Sequence, residues 1–226
     1  MGNGFSIKQF ALKVIRAINV VLRPTGVQIV WLSDFDRQLE REMPDSLGRP
    51  EFRELTAVQA IATPAEVSLE EGRFLGELVR RTDPSDPIVE IGTLFGHSTS
   101  VLTLFKAEDQ PLIGVDNFCW NPLELSPEYH EYTTRRVLEQ ATEKYNVTVE
   151  NIDKGEFFES YSGPAPGLVF CDADHSFEAT LADINWARSV GAKIVCGHDY
   201  GEDERVTAAV DSLGGPKELV GRVFVV

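Results

Sequence analysis

The sequence predicts an α/β fold built on a doubly wound, mainly parallel sheet, and three observations carry that expectation. Short apolar runs recur from residue 88 onward, at Ile88–Ile91, Leu112–Val115, Val147–Glu150, Leu168–Cys171 and within Ala192–Cys196. Segments with apolar residues at helical spacing separate them, so strands and helices alternate and right-handed crossovers follow. Glycine or a carboxylate closes strand after strand, which gathers polar groups at one sheet edge, where open α/β sheets bind ligands. No internal repeat or low-complexity segment interrupts the pattern.

Before this sheet, residues 5–22 read as an amphipathic helix with Phe10, Val14, Ile18 and Val21 on one side. Lys8, Lys13, Arg16 and Arg23 make it basic, a composition open to an anionic membrane surface or to packing against protein. Packing is expected, on the domain itself or between two copies of the chain as a homo-oligomer. Pro24-Thr25-Gly26 ends the helix, and Val27–Leu32 reads as a short extended run. Pro44, Gly48 and Pro50 break the pattern over residues 33–65, a loop-rich cap or a plain extension. The division expected is a helical extension over 1–65 and the main domain over 66–226.

Composition narrows the function. The chain has 226 residues, enough for a substantial core, and a formal net charge of −15 that repels phosphate backbones, so no nucleic-acid partner is expected. Its three cysteines, Cys119, Cys171 and Cys196, follow no metal spacing and fit a reducing compartment. No apolar stretch approaches the ~20 residues of a membrane span. Lys13, Arg16 and Asn19 interrupt the N-terminal apolar residues, unlike a signal peptide. A cytoplasmic protein without stable membrane insertion is expected.

The main domain opens with a capping box, Ser68-Leu-Glu-Glu71, ahead of Phe74, Leu75, Leu78 and Val79 at helical spacing. The central motif follows: Ile88–Ile91 bounded by Pro87 and Gly92, then Thr93-Leu-Phe-Gly96-His97-Ser98, with Val101, Leu104 and Phe105 continuing as a helix. A strand, a glycine turn and a helix N-terminus predict a cradle of backbone N–H groups that a ligand can approach closely. The spacing Glu90-x-Gly92-x-x-x-Gly96 is not the Gly-x-Gly-x-x-Gly of nicotinamide-binding folds, which argues against an oxidoreductase. Asp116 ends the second strand, where an acidic residue can accept both ribose hydroxyls of a nucleoside or simply cap a turn. Phe118–Pro122 forms an aromatic loop, and Ser126-Pro127 starts a helix whose stripe is Val137, Leu138, Ala141 and Tyr145.

A second chemical cluster closes the sheet. The fourth strand ends in Asp172-Ala-Asp174-His175, with Phe177, Leu181, Ile184 and Ala187 on one face of the next helix; the fifth ends in Gly197-His198-Asp199-Tyr200. Asp172 and Asp199 at neighbouring strand ends suit a hard divalent cation, Mg²⁺ foremost, or serve as helix caps. Either histidine, His175 or His198, is placed to accept a proton near neutral pH.

The string Glu90-Ile-Gly-Thr-x-x-Gly-x-Ser98 resembles the first motif of class I S-adenosylmethionine (SAM)-dependent methyltransferases, more narrowly the small-molecule O-methyltransferases. The resemblance spans roughly residues 68–213 and implies a Rossmann-like sheet with SAM as cofactor. It assigns Glu90, Gly92, Thr93, Gly96 and Ser98 to the cofactor motif, Asp116 to the ribose, Asp153 to the adenine and Asp172 to the cofactor edge. Asp172 and Asp199 fall where catechol- and caffeoyl-CoA-type enzymes place two metal ligands, and His175 where they place a catalytic lysine. Their third ligand, an asparagine, is Tyr200 here, which leaves water or His198. Imidazole would shift the preference toward Mn²⁺, Fe²⁺ or Zn²⁺. The strings Asp-x-Asp-His-Ser-Phe-Glu and His-Asp-Tyr look closer to bacterial sugar and natural-product O-methyltransferases. Methyl transfer to a hydroxyl of a small molecule is therefore expected, assisted by a cation. A metal-free enzyme with a histidine base and a non-catalytic SAM-binding protein stand as alternatives. In such enzymes an antiparallel pair ends the sheet; only one strand, near Arg222–Val226, is legible.

Overall fold

The computed structural model describes residues 67–122 and 125–226, together with the helical positions Val14, Ile15, Ala17, Ile18 and Val21. Two compact units, Met1–Ile61 and Ala62–Val226, divide the chain. In the first, Val14, Ile18 and Val21 are exposed on the helix surface. Phe10 of the expected stripe, the Val27–Leu32 run and the cap over 33–65 lie outside the described residues.

The second unit alternates as expected. Its order is α1 (Leu69–Arg80), β1 (Ile88–Ile91), α2 (His97–Phe105), β2 (Leu112–Asp116), α3 (Pro127–Val137), α4 (Glu139–Lys144), β3 (Val147–Asn151) and α5 (Lys154–Ser160). It continues with β4 (Leu168–Cys171), α6 (Phe177–Ser189), β5 (Ile194–Gly197), α7 (Glu204–Ser212), β6 (Glu218–Val220) and β7 (Val223–Val225). One seven-stranded sheet runs β3-β2-β1-β4-β5-β7-β6. Pairings among β1 to β5 are parallel, and β7 lies antiparallel to both β5 and β6. The closing pair is thus complete. Its first strand has only three residues, too few for an alternating pattern to show in sequence.

β1 is the pivot: it pairs with β2 on one side and β4 on the other, so the winding reverses there. All four of its residues are buried, as are the four of β4, and this explains their apolar runs, interrupted in β1 by Glu90. Val89, Ile91, Val115, Val169, Cys171 and Val195 face Phe157 of α5, Ile184 and Ala187 of α6, and Val206 and Val210 of α7. The alternate residues point the other way, where Glu90 meets Thr99 of α2.

Two helices differ from expectation. The segment after Ser126 is two helices, joined at Leu138, although Val137, Leu138, Ala141 and Tyr145 are all buried. In α6, Phe177 and Leu181 are only half-buried, and the inward face is Thr180, Asp183, Ile184 and Ala187. Apolar spacing misplaced that face because a charge occupies it. Lys154 of α5 reaches 2.7 Å from Asp183, an ion pair no periodicity reveals.

Candidate functional site

The parallel register brings the ends of β1, β2, β4 and β5 to one edge. Ile91 pairs with Val115 and with Cys171, and Cys171 pairs with Gly197. At these ends stand Gly92, Asp116, Asp172 and His198-Asp199, so the predicted site residues are gathered by topology.

The glycine turn is built differently from the expected open cradle. Its N–H groups are largely used within the protein: Gly92 donates to Val115, Gly96 to Thr93, and Thr93 and Leu94 to Asp116 Oδ2 at 3.0 and 2.7 Å. The glycines serve backbone shape and internal packing. Gly92 and Gly96 have φ of 94° and 88°, and a Cβ would strike the Asp172 backbone at 2.1 Å or Leu138 at 2.8 Å respectively. α2 begins at His97, behind Gly96 as a left-handed cap.

Asp116 also accepts from Phe118 N at 2.7 Å. A carboxylate offers about four acceptor positions. Three are filled, so this geometry has room for one ribose hydroxyl rather than the expected two. Glu90 is fully buried, with Thr99 on Oε2 and no hydrogen-bond partner on Oε1 among the described residues. Burial raises its pKa to about 8 against the nearby Ser98 and Thr99 hydroxyls, helped by Asp172 and Asp116. Thr93 Oγ1 is likewise buried without a partner there. Asp153 is exposed and caps α5 through Gly155 N; its other oxygen lies 3.5 Å from Asn117, beside the end of β2.

Across the pivot lies the acid–histidine cluster. One ligand atom each from Asp172, His198 and Asp199 falls within 4.8 Å of the others. His198 Nδ1 is 3.2 Å from Asp199 Oδ1 and 3.8 Å from Asp172 Oδ2. His175 Nε2 bridges the same carboxylates, 3.5 Å from Asp172 and 3.3 Å from Asp199. Its hydrogen bond to Asp172 and the nearby carboxylates raise its pKa against burial. Burial, then the neighbouring Asp172, raises that of Asp199, which is held at φ 64°. The histidines differ in access: His175 is about a third exposed and His198 almost wholly buried. Tyr200 turns its hydroxyl away to Asp211, 2.8 Å off, and so is not among these ligand atoms.

Two residues of this site were not singled out from the sequence. Glu71 completes the expected capping box, but its other oxygen accepts from Arg222 N at 2.7 Å and lies 3.7 Å from His198 Nε2. Burial opposes its charge, yet bonds from Ser68 and Arg222, with His198 nearby, hold its pKa down to about 2. Arg222, in the β6–β7 turn, reaches Asp199 at 3.3 Å and Glu202 at 2.7 Å. The capping box was the one available signal for Glu71, and it indicates a helix start only.

This strand order with its edge cluster is the class I methyltransferase architecture, and residues 89–200 match a family model described as a methyltransferase domain. Residues 89–200 are thus a methyltransferase domain, and the fold resembles that of SAM-dependent O-methyltransferases. Similar solved structures include cofactor-bound Rv0187 from MTB, at 21% identity and a TM-score of 0.58, covering 83% of this chain and 87% of that one. The O-methyltransferase from Bacillus cereus in complex with SAH follows at 19% and 0.59, covering 86% and 96%. The O-methyltransferase TomG from Streptomyces achromogenes, involved in tomaymycin synthesis and in complex with SAM, has 17% and 0.52, covering 94% and 93%. No curated protein sequence matches the chain significantly. Among the described residues, no helix is long and apolar enough to cross a membrane.

Proposed function

We propose that the chain transfers the methyl group of SAM to a hydroxyl of a small molecule, with a divalent cation held by Asp172, His198 and Asp199. The observation that carries this reading is the convergence of those three ligand atoms within 4.8 Å at the edge beside the glycine turn. Two carboxylates and an imidazole fit a cation by charge and by donor type, and a set including nitrogen favours Mn²⁺, Fe²⁺ or Zn²⁺ over Mg²⁺. Such an ion, when bound, lowers the pKa of a hydroxyl oxygen.

The chain's own residues do the rest. Glu90, Thr93 and Ser98 line the cofactor motif, and the orphaned Glu90 Oε1 suits a donor such as the amino group of SAM. Asp116 retains one acceptor position for the ribose, and exposed Asp153 lies beside it for the adenine. His175, the more exposed imidazole, accepts the hydroxyl proton, whereas buried His198 orients toward the carboxylates. SAM-bound and SAH-bound neighbours and the O-methyltransferases among them support the cofactor and the acceptor atom. The exposed Val14, Ile18 and Val21 support pairing of the N-terminal helix with a second copy, the acidic composition supports the absence of a nucleic-acid partner, and the sparse free cysteines support a reducing, cytoplasmic compartment.

The test is methyl transfer from labelled SAM to a panel of small hydroxylated acceptors, with EDTA and after restoring Mn²⁺ or Mg²⁺. Turnover should fall with EDTA and return with the ion. Full activity in EDTA, lost in His175→Ala, would instead establish the metal-free histidine-base enzyme.

A further inference from the structure

Asp116 and His130 hold the same two residues from opposite ends. Leu94, in the glycine turn, and Phe118, after β2, are both non-glycine residues in the left-handed region, at φ 46° and 55°. Side chains rarely adopt that conformation unless their surroundings impose it. The Leu94 N–H donates to Asp116 Oδ2 and the Phe118 N–H to Asp116 Oδ1, each at 2.7 Å. Their carbonyl oxygens face the two nitrogens of one ring: Leu94 O lies 3.0 Å from His130 Nε2, and Phe118 O lies 3.2 Å from His130 Nδ1. Thr134, one turn along α3, adds a hydroxyl bond to Leu94 O.

The imidazole is completely buried, tilted against Phe95 at 4.7 Å and edge-on to Phe118 at 5.1 Å between ring centroids. Both ring nitrogens face acceptors only; a neutral imidazole satisfies one of them, a doubly protonated ring both. A histidine used only for packing needs neither contact. This one joins the carbonyls of the two loops whose N–H groups Asp116 already joins.

We propose that His130 is a positioning residue for the cofactor. With Asp116 it closes a four-cornered brace that keeps Leu94 and Phe118 left-handed and sets the two loops flanking the SAM motif. The inference rests on SAM binding at that motif. Without the brace, Leu94 relaxes toward negative φ and carries the Thr93–Phe95 backbone out of its binding shape.

The experiment is titration calorimetry of S-adenosylhomocysteine, with melting temperatures alongside. His130→Phe keeps a flat aromatic ring, somewhat larger, and removes both ring nitrogens, and should weaken binding by about tenfold, the scale of one or two lost hydrogen bonds. The same substitution in a Leu94→Gly background should weaken it by no more than about threefold, because glycine holds a positive φ without help. A merely structural role would give equal losses in both backgrounds. That equality, or unchanged affinity in His130→Phe, overturns the brace while leaving SAM binding intact. Should His130→Phe not fold, His130→Gln keeps one donor and the comparison is made with it. No binding by the wild-type protein would remove the cofactor reading and the brace together.

Discussion

The two halves of the sheet edge handle their carboxylates in opposite ways. On the β1–β2 side, Asp116 takes three backbone N–H groups of the surrounding loops, whose carbonyls meet His130. On the β4–β5 side, Asp172 and Asp199 crowd each other, His175 and His198, and each raises the other's need for positive charge. Like charges at such distances need compensation, which Arg222 supplies in part beside Asp199 and a bound cation would complete. One half is complete as protein, and the other is where we propose that an ion binds. That contrast predicts which substitutions change the shape of the cofactor site and which change the chemistry.

The largest effect should come from the crowded half. Asp199→Ala is expected to lower metal-supported turnover by about a hundredfold, the scale of several kcal/mol of charge stabilisation, and to abolish the response to EDTA. S-adenosylhomocysteine affinity should stay largely intact. A parallel loss of that affinity would erase the distinction between the halves.

Next is the outer partner of the same cluster. His198 presents Nδ1 to the carboxylates, and its Nε2 lies 3.7 Å from Glu71 Oε1 without a hydrogen bond; a small approach on metal binding would let the carboxylate fix the imidazole's tautomer and strengthen it as a ligand. Glu71→Gln should weaken Mn²⁺ binding by about 10–100-fold, measured by the free-ion signal in electron paramagnetic resonance. Unchanged Mn²⁺ affinity would confine Glu71 to its capping role.

In the self-satisfied half, Asp116→Ala should weaken S-adenosylhomocysteine by about 1–3 kcal/mol in calorimetry, since a ribose bond and the loop bonds are lost together. Mn²⁺ binding should be unaffected. If the cation site also fails, the halves are coupled through β1 rather than independent.

Glu90 lies between them, and its effect is on pH dependence. Its folded pKa, about 8, stands above the unfolded value, so its contribution to stability is fully present at acid pH. That contribution is lost as pH rises from about 4.5 through 8, by at most ~1.4 kcal/mol per unit over that window. Glu90→Gln should flatten the decline in chemical denaturation across that range; an unchanged profile would place the titration elsewhere. The smallest change is Tyr200→Phe, expected within about 0.5 kcal/mol of wild-type stability and neutral for Mn²⁺ affinity, because its hydroxyl binds Asp211 away from the cluster. A clear drop in Mn²⁺ affinity would return Tyr200 to the ligand set.

What the sequence determined by itself was the sheet and its chemical edge. Buried strands read as apolar runs and the half-exposed β3 as an alternation, and glycine and carboxylates at strand ends stand out against them; hence β1 to β5, Asp116, Asp172, His175, His198 and Asp199 were all legible. Ser68-x-x-Glu71 marked the start of α1 for the same local reason. Contacts between distant segments left no such trace. The Lys154–Asp183 pair, the Glu71–His198–Arg222 contacts and the His130 brace each join residues 12 to 151 positions apart. Even the glycine turn was misjudged locally: its N–H groups look free in the sequence, and Val115 and Asp116, brought alongside by the parallel register, take up three of them. Local patterns report burial and turns because neighbouring residues create them. The tertiary structure decided which polar atoms remain for a ligand, because that depends on what folding brings to face them.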